Sequence, residues 1–178
     1  MIKKLFFTCL LFAGLLGGLY FFIRSNSPVV QGYCAFCDPA ILKAQTFYED
    51  DLVLALYTHK PIVPGHFLII PKRHVERFEM LSDAEITQIG RVIKKVNAAA
   101  VKIFDASAYL LLQKNGAEVG QTVPHVHFHY IPRKAGENSV LIFMFKMYLS
   151  SIRSPISAEE MQHVVEQMKE AIEVYPNG

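Results

Sequence analysis

The sequence predicts an α+β fold: an antiparallel sheet with a long helix and a C-terminal helix, preceded by one N-terminal transmembrane helix. Three observations support this. Short β-rich runs bounded by turn residues occur at "DLVLALY" (Asp51–Tyr57), "FLII" (Phe67–Ile70), "AYLLLQK" (Ala108–Lys114) and "HVHFHYI" (His125–Ile131). Two further stretches repeat apolar residues at helical spacing. Strands and helices mix without a regular βαβ repeat, as in α+β domains.

The amino terminus is the most apolar part of the chain. No charged residue occurs from Leu5 to Ile23. At about 1.5 Å per residue, a helix of that length nearly spans the ~30 Å hydrocarbon layer of a bilayer. The run exceeds the core of a cleaved signal peptide and no A-x-A pattern follows it, so residues 1–24 read as an uncleaved signal anchor. A cleaved signal is the alternative. Lys3, Lys4 and the amino terminus precede the run and Arg24 follows it, which puts the remaining domain on the non-cytoplasmic side of a membrane. Residues 25–32, "SNSPVVQG", read as a linker, and residues 33–178 as a single domain, the natural number for a 178-residue chain.

Within that domain "KPIVPGH" is a turn, with Pro61, Pro64 and Gly65. Ser82 and Glu85 form a capping box that opens a helix, whose apolar stripe is Ile86, Ile89, Ile93, Val96, Ala100 and Ile103. "NGAEVGQ" is a polar, Gly-containing loop. Ser157 and Glu160 form a second capping box. Met161, Val164, Val165, Met168 and Ile172 are the buried face of the C-terminal helix that follows. "VLIFMFKMYL" (Val140–Leu149) fits a strand, a helix or a membrane contact, but it is interrupted by Lys146 and too short to span. Eighteen basic against 16 acidic residues leave a net charge of +2, which gives no support to a nucleic-acid surface, and no nucleic-acid partner is expected.

Chemistry concentrates in "PHVHFHYIPR". Side chains alternate along a strand, so His125, His127 and His129 share one face while Val126, Phe128 and Tyr130 pack inward. Three readings compete: a surface strand of satisfied histidines, zinc ligation by H-x-H, or a nucleophilic imidazole. "CAFC" adds Cys34 and Cys37, a C-x-x-C pair open to a disulfide, a redox site or half of a metal site.

"HVHFHYI" resembles the signature of the histidine triad (HIT) superfamily. "PIVPGHFLIIPKRH" resembles that family's first signature and "NGAEVGQTVPHVHFHYIPRKAG" its second. "VPGH", "VERF" and "GQTV…PRKAG" look most like the fragile-histidine branch, which hydrolyses diadenosine polyphosphates. The resemblance covers roughly Cys34 to Gly136 and implies a HIT-like fold.

It also implies a hydrolase that attacks the α-phosphorus of a nucleotide with His127, through a nucleotidyl-histidine. His129 would contact phosphoryl oxygens, and His66 matches a further family histidine. Nucleotide contacts would fall on Lys114, Asn115, Gln121, Thr122 and His129. The resemblance further implies a homodimer, a nucleotide substrate and no organic cofactor. Nucleotidyl transfer, phosphoramidate hydrolysis and slow nucleotide sensing stay open. Many bacterial members open with a similar "CxFC" and bind zinc, which here implies the ligands Cys34, Cys37, His74 and His125. Two positions depart from the family: Lys114 stands where an Asn or Gln is usual, and Thr58 where the fragile-histidine branch has Asn.

Overall fold

The computed structural model describes residues 14, 16, 17, 32–137 and 139–174. The elements are α1 (Pro39–Gln45), β1 (Thr46–Glu49), β2 (Val53–Tyr57), β3 (Phe67–Pro71), α2 (Asp83–Phe104), β4 (Ala108–Gln113), β5 (Phe128–Arg133), α3 (Val140–Leu149) and α4 (Ala158–Val174). The five strands form one sheet in the order β1-β2-β3-β5-β4, every neighbouring pair antiparallel. This is the expected α+β architecture. α1 and β1 carry no strong periodic signal and were not foreseen.

α2 begins where the capping box predicts. Ser82 Oγ accepts from the Glu85 N–H at 3.2 Å, and Glu85 Oε2 accepts from the Ser82 N–H at 2.8 Å. Its buried stripe is Ile89, Val92, Ile93, Val96, Ala99 and Ala100, and Ile86 is exposed. The stripe is therefore rotated from the expected one. Glu85, turned inward to meet Arg73 and Ser82, takes the buried position of the first turn. α4 buries the five residues expected of it. Both helices cover one sheet face, where Tyr57, Phe67, Ile69, Val126 and Tyr130 meet them in the main core. The opposite face carries Leu54, Leu56, Leu68 and Ile70 with Phe36.

The ambiguous stretch Val140–Leu149 is a helix that buries only Phe143, against Ile62 and Ile131. The expectation of a transmembrane helix, and with it a membrane-anchored, non-cytoplasmic location, is corrected: no helix among the described residues is long and apolar enough to cross a membrane. An uncharged run satisfies a hydropathy criterion by composition alone, whereas a span requires a continuous helix of bilayer length. Apart from Gly14, Leu16 and Gly17, residues 1–24 lie outside the described residues, as does the linker up to Gln31.

Candidate active site

The histidine-bearing segment joins the sheet later than expected. β5 starts at Phe128, not His125, and pairs with β3 and β4 so that His129 stands opposite Leu68 and Leu112. Pro124 has no N–H to offer a ladder. The Val126 N–H is drawn instead to the Val75 carbonyl at 2.6 Å. Alternation of side chains nevertheless persists, with Val126 and Tyr130 in the core and Phe128 packed against it.

The three imidazoles divide between two environments. His125 is fully buried, with Nδ1 turned to the cysteines. His127 and His129, with ring centroids 5.0 Å apart, line a cavity of about 220 Å³ together with His66. His66 is delivered by the β2–β3 turn. There Gly65 has φ +81°, and a Cβ on it would lie 2.9 Å from Pro132 Cγ, so a side chain is excluded on both counts.

Hydrogen bonds assign each ring's proton. A carbonyl only accepts, so His127 Nδ1–H donates to the His125 carbonyl at 2.7 Å and Nε2 keeps a bare lone pair. A backbone amide only donates, so His66 Nδ1 accepts from the Ile62 N–H at 3.2 Å and His66 Nε2 carries the proton. That proton is donated to His129 Nδ1 at 2.9 Å, which leaves His129 with an Nε2–H donor. Burial, reinforced by the neighbouring ring of His127, pushes His66 down to about 3 and His129 to about 2. Burial also lowers His127, with Lys114 adding to it and the bond to His125 opposing. The rings are therefore neutral near pH 7. The cavity offers one bare imidazole nitrogen, one fixed N–H donor and the ammonium groups of Lys60 and Lys114 on its wall. This is the equipment of nucleophilic attack on an anionic centre.

Of the expected nucleotide-binding residues, Lys114 and Thr122 line the cavity. Asn115 and Gln121 are turned away from it. Asn115 accepts from the Phe78 N–H and donates to Glu79, each at 2.8 Å. Gln121 closes the loop on itself, accepting from the Gly116 N–H at 2.7 Å and donating to the Glu76 carbonyl at 2.9 Å. Lys60 is one of several contributors that the sequence did not mark. Phe36 packs edge-on against both His125 and His127, at 5.8 and 5.2 Å. Met147 and Ser150, from the end of α3, close one side of the cavity. Only the aromatic inside "CAFC" left a trace in the sequence. A larger hollow of about 430 Å³ beside β1 is lined by Lys43, Lys72 and Glu49 but by no histidine, and the Lys72–Glu49 pair satisfies two of its charges.

The remaining cluster lies behind the cavity. The ligating atoms of Cys34, Cys37, His74 and His125 lie within 4.8 Å of one another. Cys34 Sγ is 3.4 Å from His125 Nδ1, and Cys37 Sγ is 3.4 Å from His74 Nδ1 and 3.7 Å from His125 Nδ1. Tetrahedral bonds of about 2.1–2.3 Å put ligands about 3.6 Å apart, so the set has the dimensions of a zinc site. His125 Nε2–H donates to the Pro71 carbonyl at 2.9 Å, which leaves Nδ1 unprotonated toward the thiols, as a ligating imidazole requires. Burial raises the Cys34 thiol to about 11 and lowers His125 to about 4. A divalent cation would offset the first shift by stabilising a thiolate. Both cysteines are free.

A profile of the HIT domain matches residues 41–136. The chain belongs to the HIT family. Among curated HIT relatives, the bis(5'-nucleosyl)-tetraphosphatase of Schizosaccharomyces pombe is 44% identical over 96 residues, which cover 54% of this chain and 53% of that protein. The chain thus spans about half the length of that relative. The bis(5'-adenosyl)-triphosphatase of Dictyostelium discoideum is 32% identical over 139 residues, 77% of this chain and 91% of that one. The solved NitFhit protein of C. elegans superposes with a TM-score of 0.60 at 31% identity, covering 72% of this chain and 27% of that chain.

Proposed function

We propose that this chain hydrolyses dinucleoside polyphosphates or related nucleotide conjugates at the α-phosphate, through a nucleotidyl intermediate on His127. The observation that carries the reading is the His127 ring, with Nδ1–H tied to the His125 carbonyl and Nε2 bare in the cavity. Nε2 attacks the α-phosphorus, and the bond to the leaving oxygen breaks with its electron pair. Water then forms a bond to the same phosphorus, the P–N bond breaks, and the water proton passes to solvent. Splitting one displacement into two lowers each barrier. His129 Nε2–H and Lys114 face the phosphoryl oxygens as charge develops, and Thr122 lines the same wall. The named activities of the tetraphosphatase and triphosphatase relatives support this substrate class.

The experiment is to mix the protein with a dinucleoside polyphosphate labelled at the α-phosphate, quench in base, and map the labelled peptide. Label on His127, absent in His127→Ala, is the expected result. Release of nucleoside monophosphate by His127→Ala at the wild-type rate would overturn the assignment, and accumulation of label without release would favour a slow sensor or a transferase.

Two further features belong to this reading. Cys34, Cys37, His74 and His125 would hold zinc as a closed, four-ligand structural site, with no position left for water or substrate. The ion would tie the turn carrying Phe36 to the segment carrying His127. A second copy of the chain would pair along β4. One side of that strand bonds to β5 while its other side ends the sheet, and Tyr109, Leu110 and Leu111 are exposed along it. α3 adds Leu141 and Phe145, 78% and 61% exposed. An open ladder beside apolar surface is what a symmetric strand pairing covers.

A further inference from the structure

The peptide that orients the His66–His129 pair is itself held by a residue from outside the histidine-bearing segments. The Ile62 N–H donates to His66 Nδ1 at 3.2 Å. The carbonyl of that same peptide belongs to Pro61, and it accepts from Arg153 Nη1 at 3.4 Å. A second bond from Nη1 reaches the Ile62 carbonyl at 3.2 Å. A trans peptide unit is planar, with its oxygen and its N–H pointing in opposite directions. Fixing the Pro61 oxygen therefore fixes where the Ile62 N–H points. A guanidinium on the oxygen also polarises the amide, which makes its N–H a stronger donor. Arg153 lies outside the residues 41–136 that match the HIT domain. Its segment meets the same turn at other points. The Ile156 N–H donates to the His59 carbonyl at 2.9 Å. Phe143, the residue that α3 buries, packs with Ile62 and Ile131.

We propose that Arg153 is a positioning residue for this site: acting through the 61–62 peptide, it keeps the His66 proton on Nε2 and with it the donor on His129 Nε2. The proposal rests on the function argued above and extends that site to a segment beyond the HIT domain. Arg153 is not among the residues that line the cavity, so its effect travels through His66. Without its two bonds the 61–62 peptide turns away, and His66 Nδ1 loses the N–H it accepts. The His66 proton is then free to sit on Nδ1, which makes His66 Nε2 an acceptor. His129 must carry its own proton on Nδ1 to meet that acceptor. Its Nε2 is then bare toward the phosphoryl oxygens, where a donor is needed. Each ring keeps one proton throughout, so the change is one of tautomer and not of charge.

The test uses the full chain with isotope-labelled histidine, as wild type, Arg153→Met and Arg153→Lys, and with His66→Ala as a second background. Nitrogen NMR reads which ring nitrogen carries each proton, and diadenosine tetraphosphate gives kcat and KM. Wild type is expected to show His66 and His129 protonated at Nε2. Arg153→Met should populate the Nδ1–H form of both rings. It should also lower kcat about tenfold, the lower end of what losing an orienting partner costs, and move KM by less than about twofold. Arg153→Lys keeps a charged donor and should restore most of kcat. In the His66→Ala background, Arg153→Met should change kcat by less than about twofold, because its route to the site is gone. An unchanged kcat, a loss confined to KM, an equal loss in both backgrounds, or a lower kcat with unchanged tautomers would overturn the role of Arg153 and leave the His127 intermediate intact. No labelled His127 in wild type would overturn the proposed function and this proposal with it.

Discussion

His127 stands beside a chain of two fixed imidazoles, His66 and His129, and that chain starts on a backbone amide. The Ile62 N–H decides which nitrogen of His66 is protonated, and His66 decides the same for His129. His66 is therefore expected to act through His129. Its replacement by Ala should lower kcat about 10- to 100-fold while changing KM little, the usual effect of losing a partner that orients a functional imidazole. Steady-state kinetics on the tetraphosphate check this, and the base-stable label on His127 should still form, more slowly. Unchanged kcat would detach His66 from the reaction. His127→Ala should lose at least about a thousandfold in kcat, because the displacement must then occur in one step.

At the scale of elements, α2 is secured at its first turn by an ion pair folded into its cap. The Arg73 guanidinium donates to both Glu85 oxygens, at 3.1 and 2.8 Å, and the Ser82 N–H adds a third bond. These bonds, Arg73 first, hold the Glu85 carboxyl at about 2, below its ordinary 4.5, against the opposing effect of burial. A depressed carboxyl contributes stability that is complete above its ordinary value and is lost as pH falls through the folded one. The window here runs from about 4.5 down to about 2. Because the guanidinium is half exposed and screened, the contribution is about 1–2 kcal/mol. Glu85→Gln should cost that much in urea unfolding at pH 6 and clearly less at pH 3. A cost independent of pH would point to packing alone. Ser82 and Glu85 were legible in the sequence as a capping box. Arg73 was not, because it reaches α2 from the loop after β3.

At the scale of the molecule, the proposed function carries two associations, with zinc and with a second copy. Zinc purified with the protein should approach one per chain and be lost in Cys34→Ser. Chelation should lower the melting temperature more than it lowers the rate at low temperature, because the four ligands are gathered only in the folded state. Metal-free protein of equal stability would remove zinc from the account and leave His127 untouched. The second association is between copies. Sedimentation equilibrium should give a dimer, and Leu110→Lys, a charge placed on the edge strand, should shift it toward monomer. A dimer unmoved by that change would have its interface elsewhere.

The sequence by itself determined the succession β2, β3, α2, β4, β5 and α4, the caps of α2 and α4, the inward face of α4 and the residues where chemistry concentrates, because each depends on neighbours within about one helical turn or one strand period. The resemblance to the HIT signatures singled out the proposed nucleophile, His127, and the four proposed ligands, Cys34, Cys37, His74 and His125, for the same local reason. Tertiary structure alone decided which partners each histidine meets. His125 belongs with the cysteines because Cys34 lies 91 positions away along the chain yet 3.4 Å away in space. His129 is a donor because His66, 63 positions distant, bonds its other nitrogen. Asn115 and Gln121 read as ligand contacts in sequence, but the fold occupies their amides with Phe78, Glu79, Gly116 and Glu76. The apolar run at the amino terminus likewise read as a bilayer span by composition, and no helix among the described residues is both long and apolar enough to cross a membrane. Composition and spacing record which groups a chain carries. Which of their bonds are already taken is settled only when distant segments meet.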